Sequence, residues 1–530
     1  MLFTSYGFIL FFAVLLAVYY LIPKRFQWLL LLAASYVFYA FLGIKFLIYI
    51  LAATATTFYA SYRINRSKQE QADYLESKKD AISREQGKEY KALMKKRQKK
   101  WLIICLLINF GVLFALKYID FSISNINSVI RLFNPERELS YLKLAVPLGI
   151  SFYTFQSMGY LIDVYRGKYS YEKSILRLAL FISYFPQLVQ GPISRFDRLK
   201  QTLFEEHSYD RKNASLGLQR VLWGFFKKLV IADRLLVAVS TITGSPEMYT
   251  GIYVVLGMLF YAIELYADFS GGIDIALGIS QMLGVRMPEN FNRPYFSKSI
   301  AEYWRRWHIT LGTWFKDYLF YPISVSKPVL NLSKKCRSRF GNALGKRVPV
   351  YIATMVVWFS TGIWHGSSWN FIVWGLLNAV VILASHECTP LYSRFHSRFS
   401  VANTFWYRLF QVARTFCLMS LLRTLDCYPG VGTTFRMFGT VFTHLNIREV
   451  LGGGLLNLGL STPDYIVLIL SITLMIAVSL KQRAGSVRER LYKKPLMLRY
   501  CTNFALFFST IVFGAYGAGY NASQFIYSQF

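Results

Sequence analysis

His365 is the residue to which chemistry can most readily be assigned. It stands in Trp364-His365-Gly366, followed by Ser367-Ser368-Trp369-Asn370-Phe371, between apolar runs at 349–364 and 369–384 with no other ionisable side chain close by. A histidine at hydrocarbon depth is expensive to keep, and its unperturbed pKa suits proton transfer near neutrality. A neutral imidazole there can take the proton of a hydroxyl and make an alcohol nucleophilic, help worth about 10²–10⁴-fold in rate. Positioning and donors facing a developing oxyanion must supply the rest. Asn370, Trp364 and Ser367 are the possible donors, and spacing does not choose among them. Gly362 and Gly366 flank the histidine and could loosen the helix or open a passage. A Ser-His-Asp hydrolase is disfavoured by the lack of a Gly-x-Ser-x-Gly elbow. A purely structural histidine is the competing reading.

A second concentration of unusual residues spans 264–322. Glu264 and Asp268 share a helix face and need partners or water at membrane depth. Either they pair with an arginine such as Arg286 or Arg293, or Asp268 caps a helix, or a carboxylate lines a reaction tunnel. Gly271-Gly272 would let the helix break or approach a neighbour closely. Pro288-Glu289-Asn290-Phe291-Asn292-Arg293-Pro294-Tyr295 reads as a rigid extended turn. Beyond it, Trp304, Trp307, His308, Leu311, Phe315, Tyr318 and Leu319 follow helical spacing and predict one amphipathic aromatic helix at the membrane interface. Arg305 and Arg306 lie on its other face and could hold a phosphate-bearing donor. An interfacial aromatic belt and a hydrogen-bonded interfacial His308 explain the same residues without a ligand.

The elements that must position these residues are membrane helices. The 530 residues are 54% hydrophobic, 17% aromatic and only 17% charged. Apolar blocks at 6–22, 27–43, 46–60, 101–117, 252–267, 349–364, 369–384, 465–480 and 504–519 approach or reach a bilayer span. Others near 143–163, 174–193 and 217–240 are interrupted. At about 20 residues per span, this predicts an all-α polytopic protein of roughly 11 to 14 transmembrane or re-entrant helices. Residues 1–22 read as a first membrane helix rather than a cleaved signal peptide.

The net charge of +32 is explained by cytoplasmic loops facing anionic headgroups, so membrane lipids and not nucleic acid are the expected partners. The basic segment 63–100 is expected in the cytoplasm, part helix and part disorder. With Lys24 and Arg25 inside and three helices before that loop, the N-terminus falls outside. The basic stretches 327–347 and 484–496 are expected inside too. Six scattered cysteines show no metal spacing and read as free thiols, and no metal is expected. Internal repeats, common in transporters, are not evident.

With these residues in view, the chain resembles the membrane-bound O-acyltransferase family, in its bacterial alginate O-acetyltransferase branch. The matching stretches are Pro186-Gln187-Leu188-Val189-Gln190-Gly191-Pro192-Ile193, Asp268-Phe269-Ser270-Gly271, the 288–295 turn, Tyr303-Trp304-Arg305-Arg306-Trp307-His308, and Trp364-His365-Gly366 with Trp369, Phe371, Trp374 and Gly375; Phe525-Ile526-Tyr527-Ser528-Gln529-Phe530 resembles the family's tail. The likeness covers the chain and is strongest over 146–375. It implies a single membrane domain over 1–530, a ring of helices around a funnel, with 385–530 as C-terminal helices. It implies catalytic roles for His365 and His308; Trp304, Arg305, Arg306, Asp268, Asn290, Asn292 and Asn370 are the residues expected to bind substrate or donor. No bound cofactor is implied. The donor would be a cytoplasmic thioester, acetyl-CoA or an acyl carrier protein. The acceptor would be an extracytoplasmic glycan or a partner acetyltransferase.

Two departures bear on the acceptor: Gly272-Ile273-Asp274 after the Asp268 motif, and Ser420-Leu421-Leu422-Arg423-Thr424, where only Arg423 remains as anchor. Three functions follow. The first is polysaccharide O-acetylation, favoured by the long segments 63–100 and 385–500. The second is D-alanyl transfer toward teichoic acid from a carrier protein. The third is a transporter without covalent chemistry, disfavoured by the missing repeats and the two histidines in matching motifs.

Overall fold

The computed structural model describes residues 3–41 and 43–516, so the Phe525–Phe530 tail and the end of the 504–519 run lie outside the described residues. Every regular element among the described residues is helical. That is expected at membrane depth, where backbone groups must be satisfied within their own segment. Among the described residues, seven helices are long and apolar enough to cross a membrane, and the chain is a multi-pass membrane protein. It divides into two compact units, Met1–Asp210 with Leu283–Met287, and Arg211–Met282 with Pro288–Phe530.

The first unit contains α1 (Tyr6–Leu21), α2 (Gln27–Ala40), α3 (Leu47–Ser77), α4 (Arg84–Phe133) and α5 (Ile150–Arg166). The segment 63–100, expected to be partly disordered, is instead the tip of a helical hairpin. The Ser83 hydroxyl accepts from the Gln86 amide while the Gln86 side chain accepts from the Ser83 amide, so a reciprocal cap starts α4. Glu70 accepts from Arg66 on its own helix and from Arg97 across the hairpin, at 3.0 and 2.8 Å, and Tyr74 stacks on Tyr90. These local pairs hold helix where composition alone suggested a solvated loop. The Pro186–Ile193 motif begins in a buried single turn of this unit, and Gln156 donates to Phe181 O and Gln187 Oε1.

The second unit begins with α6 (Arg211–Phe225), which passes through a π-helical stretch, Phe226–Ala232, into α7 (Asp233–Gly244). Then come α8 (Ile252–Met282), α9 (Ile300–Arg306), α10 (Ile309–Phe315), α11 (Asn342–His365), α12 (Trp369–Glu387), α13 (Phe405–Arg423), α14 (Thr462–Lys481) and α15 (Leu496–Phe513). Gly271 serves close approach and not a break, because α8 runs unbroken through it. A Cβ on Gly224 of α6 would sit 2.6 Å from Gly271 O, and one on Gly271 would sit 2.9 Å from Gly224 O. Small residues let backbones meet in this way where hydrophobic burial offers no drive between helices.

Candidate active site

His308 owes its place to a break. The continuous aromatic helix expected over 304–319 does not form, for α9 ends at Arg306 and α10 begins at Ile309. Between them His308 is left-handed, with φ 46°, a region few side-chain-bearing residues enter. The 288–296 turn imposes the break by supplying hydrogen bonds that a helix would have made internally. Asn290 O accepts from the Ile309 amide at 3.0 Å, and Asn292 N donates to Arg306 O at 2.9 Å. Asn290 Oδ1 accepts from the Thr310 amide and hydroxyl at 3.0 and 2.9 Å, and faces His308 Nδ1 at 3.3 Å. That geometry suits the imidazole tautomer protonated on Nδ1. The stripe is not an interfacial belt either: Trp307 and His308 are 1% and 3% exposed. Burial first, then the Arg423 charge, push the His308 pKa down to about 3.

His365 is the last residue of α11 and is buried. Its ring meets Trp374 edge-on at 4.8 Å and Trp364 at 5.1 Å, and Trp364 in turn meets His308 at 5.8 Å. The helix that carries Trp374 is held tightly to α11: a Cβ on Gly362 would stand 2.5 Å from Phe371 O, and one on Gly375 would strike Trp358 O. Both histidines line one cavity of about 330 Å³, with Trp304, Trp307, Trp358 and Thr361 in its walls and Arg305 and Lys316 also on its lining. Two histidines far apart in sequence therefore share one space.

The other expected residues divide. Trp304 and Arg305 border the cavity. Arg306 does not; it pairs with Glu302 at 2.6 Å and donates to Arg293 O. Asn290 positions His308, while the exposed Asn292 lines a separate, larger cavity. Asn370 gives both amide hydrogens to carbonyls, Leu425 O at 2.8 Å and Tyr428 O at 2.9 Å, which leaves neither for an oxyanion. Asp268 is tied to Lys228 at 2.6 Å, and Lys228 also reaches Asp233 at 2.7 Å. A buried ion pair thus accounts for Asp268, with Lys228 in place of the arginines considered and no place on the histidine cavity.

Arg423 proves more central than a lone anchor. Its guanidinium lies 4.4 Å from the Trp374 ring centre, 5.5 Å from Trp307 and 5.6 Å from Trp304, and it pairs with the buried Asp426 at 3.0 Å. A desolvated cation among tryptophan faces is favourable by roughly 2 kcal/mol or more. Trp374 therefore touches both this cation and His365. The sequence signal was the lone arginine that Ser420-Leu421-Leu422-Arg423-Thr424 keeps as anchor. Lys227 and Lys228 were signalled by adjacent lysines interrupting the apolar block 217–240.

These features define a polytopic helical membrane protein with a paired-histidine cavity. The chain belongs to the membrane-bound O-acyltransferase family, whose pattern matches residues 81–335, a stretch that contains His308 but stops before His365. It is 35% identical over 377 residues to the probable alginate O-acetylase AlgI of Azotobacter vinelandii, 71% of this chain and 66% of that one. It is 30% identical over 444 residues to the protein of the same name in Pseudomonas syringae pv. tomato, 84% and 75% of the two chains. A peptidoglycan O-acetyltransferase of Helicobacter pylori is 30% identical over 402 residues, 71% and 67%. The aligned part thus falls just short of two thirds of the Azotobacter protein's length. The resemblance read from the motifs is confirmed.

Proposed function

We propose that this protein transfers an acyl group, acetyl in the first instance, from a cytoplasmic thioester to a hydroxyl of an extracytoplasmic polysaccharide or of a partner enzyme that completes the transfer. The observation that carries the reading is the single cavity lined by His308 and His365. His365 Nε2 or Nδ1 accepts the hydroxyl proton as the oxygen attacks the thioester carbonyl. The tetrahedral intermediate then expels the thiolate, which takes that proton back as a thiol. His308, neutral and held by Asn290, offers a fixed hydrogen-bonding group on the same cavity. Arg305 and Lys316 at its lining suit the phosphates of coenzyme A or of an acyl carrier protein's pantetheine arm. The O-acetylating relatives support acetyl as the group and a glycan as the acceptor.

The D-alanyl reading keeps the same histidine chemistry. A teichoic acid D-alanyltransferase of Bacillus subtilis aligns at 27% identity over 51% of this chain, a weaker likeness than that of the acetylases. Mass spectrometry of surface glycans from cells with and without the protein separates the two. Loss of O-acetyl esters is the expected result; loss of D-alanyl esters selects the second reading, and unchanged glycans overturn both. In the proposed orientation the N-terminus is outside and the α3–α4 tip is cytoplasmic. Cysteines placed in 78–82 should resist membrane-impermeant thiol reagents applied to whole cells, and labelling from outside reverses the orientation.

A further inference from the structure

A second cavity, of about 830 Å³ and lined wholly by the second unit, contains neither histidine. It is a groove between α14 and α15, with Leu470, Leu474 and Val478 on one side and Leu506 and Phe513 on the other. Leu470 and Leu474 are 64% and 44% exposed, so the groove opens sideways to the surrounding hydrocarbon. Its other end is polar, where Gln219, Arg220, Arg293 and Arg488 meet. The Gln219 side chain is 4% exposed, yet neither its Nε2 nor its Oε1 has a hydrogen-bond partner among the described residues. A buried amide with both ends unmet costs several kcal/mol unless a ligand or water completes it, on the order of 1–3 per group.

Charge sharpens the identity of that ligand. Arg220 is fully engaged, at 2.8 Å by Asp274 and by two bonds to Glu289 at 2.7 and 2.5 Å. Lys227 is held by Asp274 and Ser270, both at 2.7 Å. Arg488 donates to Leu216 O and Gln281 Oε1, which are neutral. Arg293 has no carboxylate in ion-pair reach among the described residues, and its buried Nε is unmet. The polar end therefore holds a surplus of guanidinium charge beside a starved amide, at the head of an apolar gutter open to lipid.

We infer that this groove binds an anionic phospholipid of the surrounding membrane, its phosphodiester at Arg293, Arg488 and Gln219 and one acyl chain between α14 and α15. Ile309 lines both this groove and the histidine cavity, so the lipid backs the segment that carries His308. The inference does not depend on the identity of the acyl group or its acceptor.

Native mass spectrometry of the full-length protein, delipidated and then offered phosphatidylglycerol or phosphatidylcholine, tests this. One phosphatidylglycerol per chain should be retained, with phosphatidylcholine at least about tenfold weaker, the scale of a lost charged hydrogen bond. Gln219→Leu should weaken retention about tenfold on the same scale, and Arg293→Gln should erase the preference for the anionic lipid. Leu474→Trp, which fills the gutter, should abolish binding. Ile469→Trp, on the outer face of α14 at 64% exposure, should not. Equal retention of both lipids, indifference to Leu474→Trp, or displacement of the lipid by stoichiometric coenzyme A would each overturn the inference, the last by marking the groove as a donor subsite. If a variant fails to insert, the wild-type lipid competition decides alone.

Discussion

Asn290 binds Thr310 twice through one oxygen, accepting from its amide and its hydroxyl, and the left-handed His308 lies inside that clasp. Strain at a non-glycine residue of this kind costs of order 1–3 kcal/mol and persists only where the surroundings hold it. Asn290→Ala should release the turn. Thermal unfolding should show a loss of about 1–3 kcal/mol from unmet buried donors, with a larger proportional drop in turnover than in membrane insertion. Thr310→Val, which keeps the amide bond, should cost less. Equal effects of the two changes would refute the clasp.

His365→Ala should reduce acyl transfer by about 10²–10⁴-fold while leaving protein level and insertion unchanged. Thioester turnover by purified protein reads the first, and immunoblotting of membranes the second. Normal glycan acylation in this variant would remove the central assignment.

The Arg423–Asp426 pair supports the tryptophan wall behind His365. Arg423→Leu should destabilise the protein by about 3–5 kcal/mol, the scale for leaving a buried partner charge alone. Adding Asp426→Asn should restore most of that stability. Activity should recover less than stability, because Trp374 still lacks the cation on its face. A double-mutant cycle on melting temperature and rate separates the two effects.

His308 also predicts an acid limb of stability. Its folded pKa, about 3, lies below the ordinary 6.5, so between those values the unfolded chain binds a proton that the folded one does not. Stability is therefore complete above about 6.5 and declines as pH falls toward 3, by at most about 1.4 kcal/mol per pH unit. Melting curves from pH 7 to pH 5 should show this decline, and His308→Gln should flatten it. The rate profile over the same range should carry no ionisation of His308.

Gly362→Val should separate α11 from α12, since its Cβ would already press on Phe371 O. Backbone cannot yield as a flexible side chain does, so a loss above about 3 kcal/mol is expected from overpacking and lost helix contact. Gly432→Ala, at a glycine with open space around it, is the matched control and should be near neutral.

Periodicity and motif spacing made the helices and the two histidines legible, because apolar runs of bilayer length and rare intramembrane ionisable groups are local signals. The break at His308 was not legible. Trp304, Trp307, Leu311 and Phe315 keep helical spacing through it, and the hydrogen bonds that interrupt the helix come from Asn290 and Asn292, which are distant in sequence. Asp268 was correctly seen as needing a partner, but Lys228 lies on another helix, beyond any spacing rule. Asn370 looked like an oxyanion donor because it follows His365 closely; its amide is turned to Leu425 and Tyr428. The disorder expected at the tip of the α3–α4 hairpin does not appear because Glu70 joins Arg66 to Arg97 and Tyr74 stacks on Tyr90 across the two helices.

The π-helical stretch Phe226–Ala232 sends Lys227 to Asp274 and Lys228 to Asp268. Such a wide turn is one residue longer than the helix around it needs. Deleting a single residue there would let the turn rewind to α-helical width with the helix on either side close to its present register, but the two adjacent lysines could no longer both keep their places: Asp268 would lose Lys228 or Asp274 would be left with Arg220 alone. The extra residue is thus what lets two neighbouring lysines serve carboxylates six residues apart on α8: in descent, the wide turn and the lysine pair should be gained or lost together.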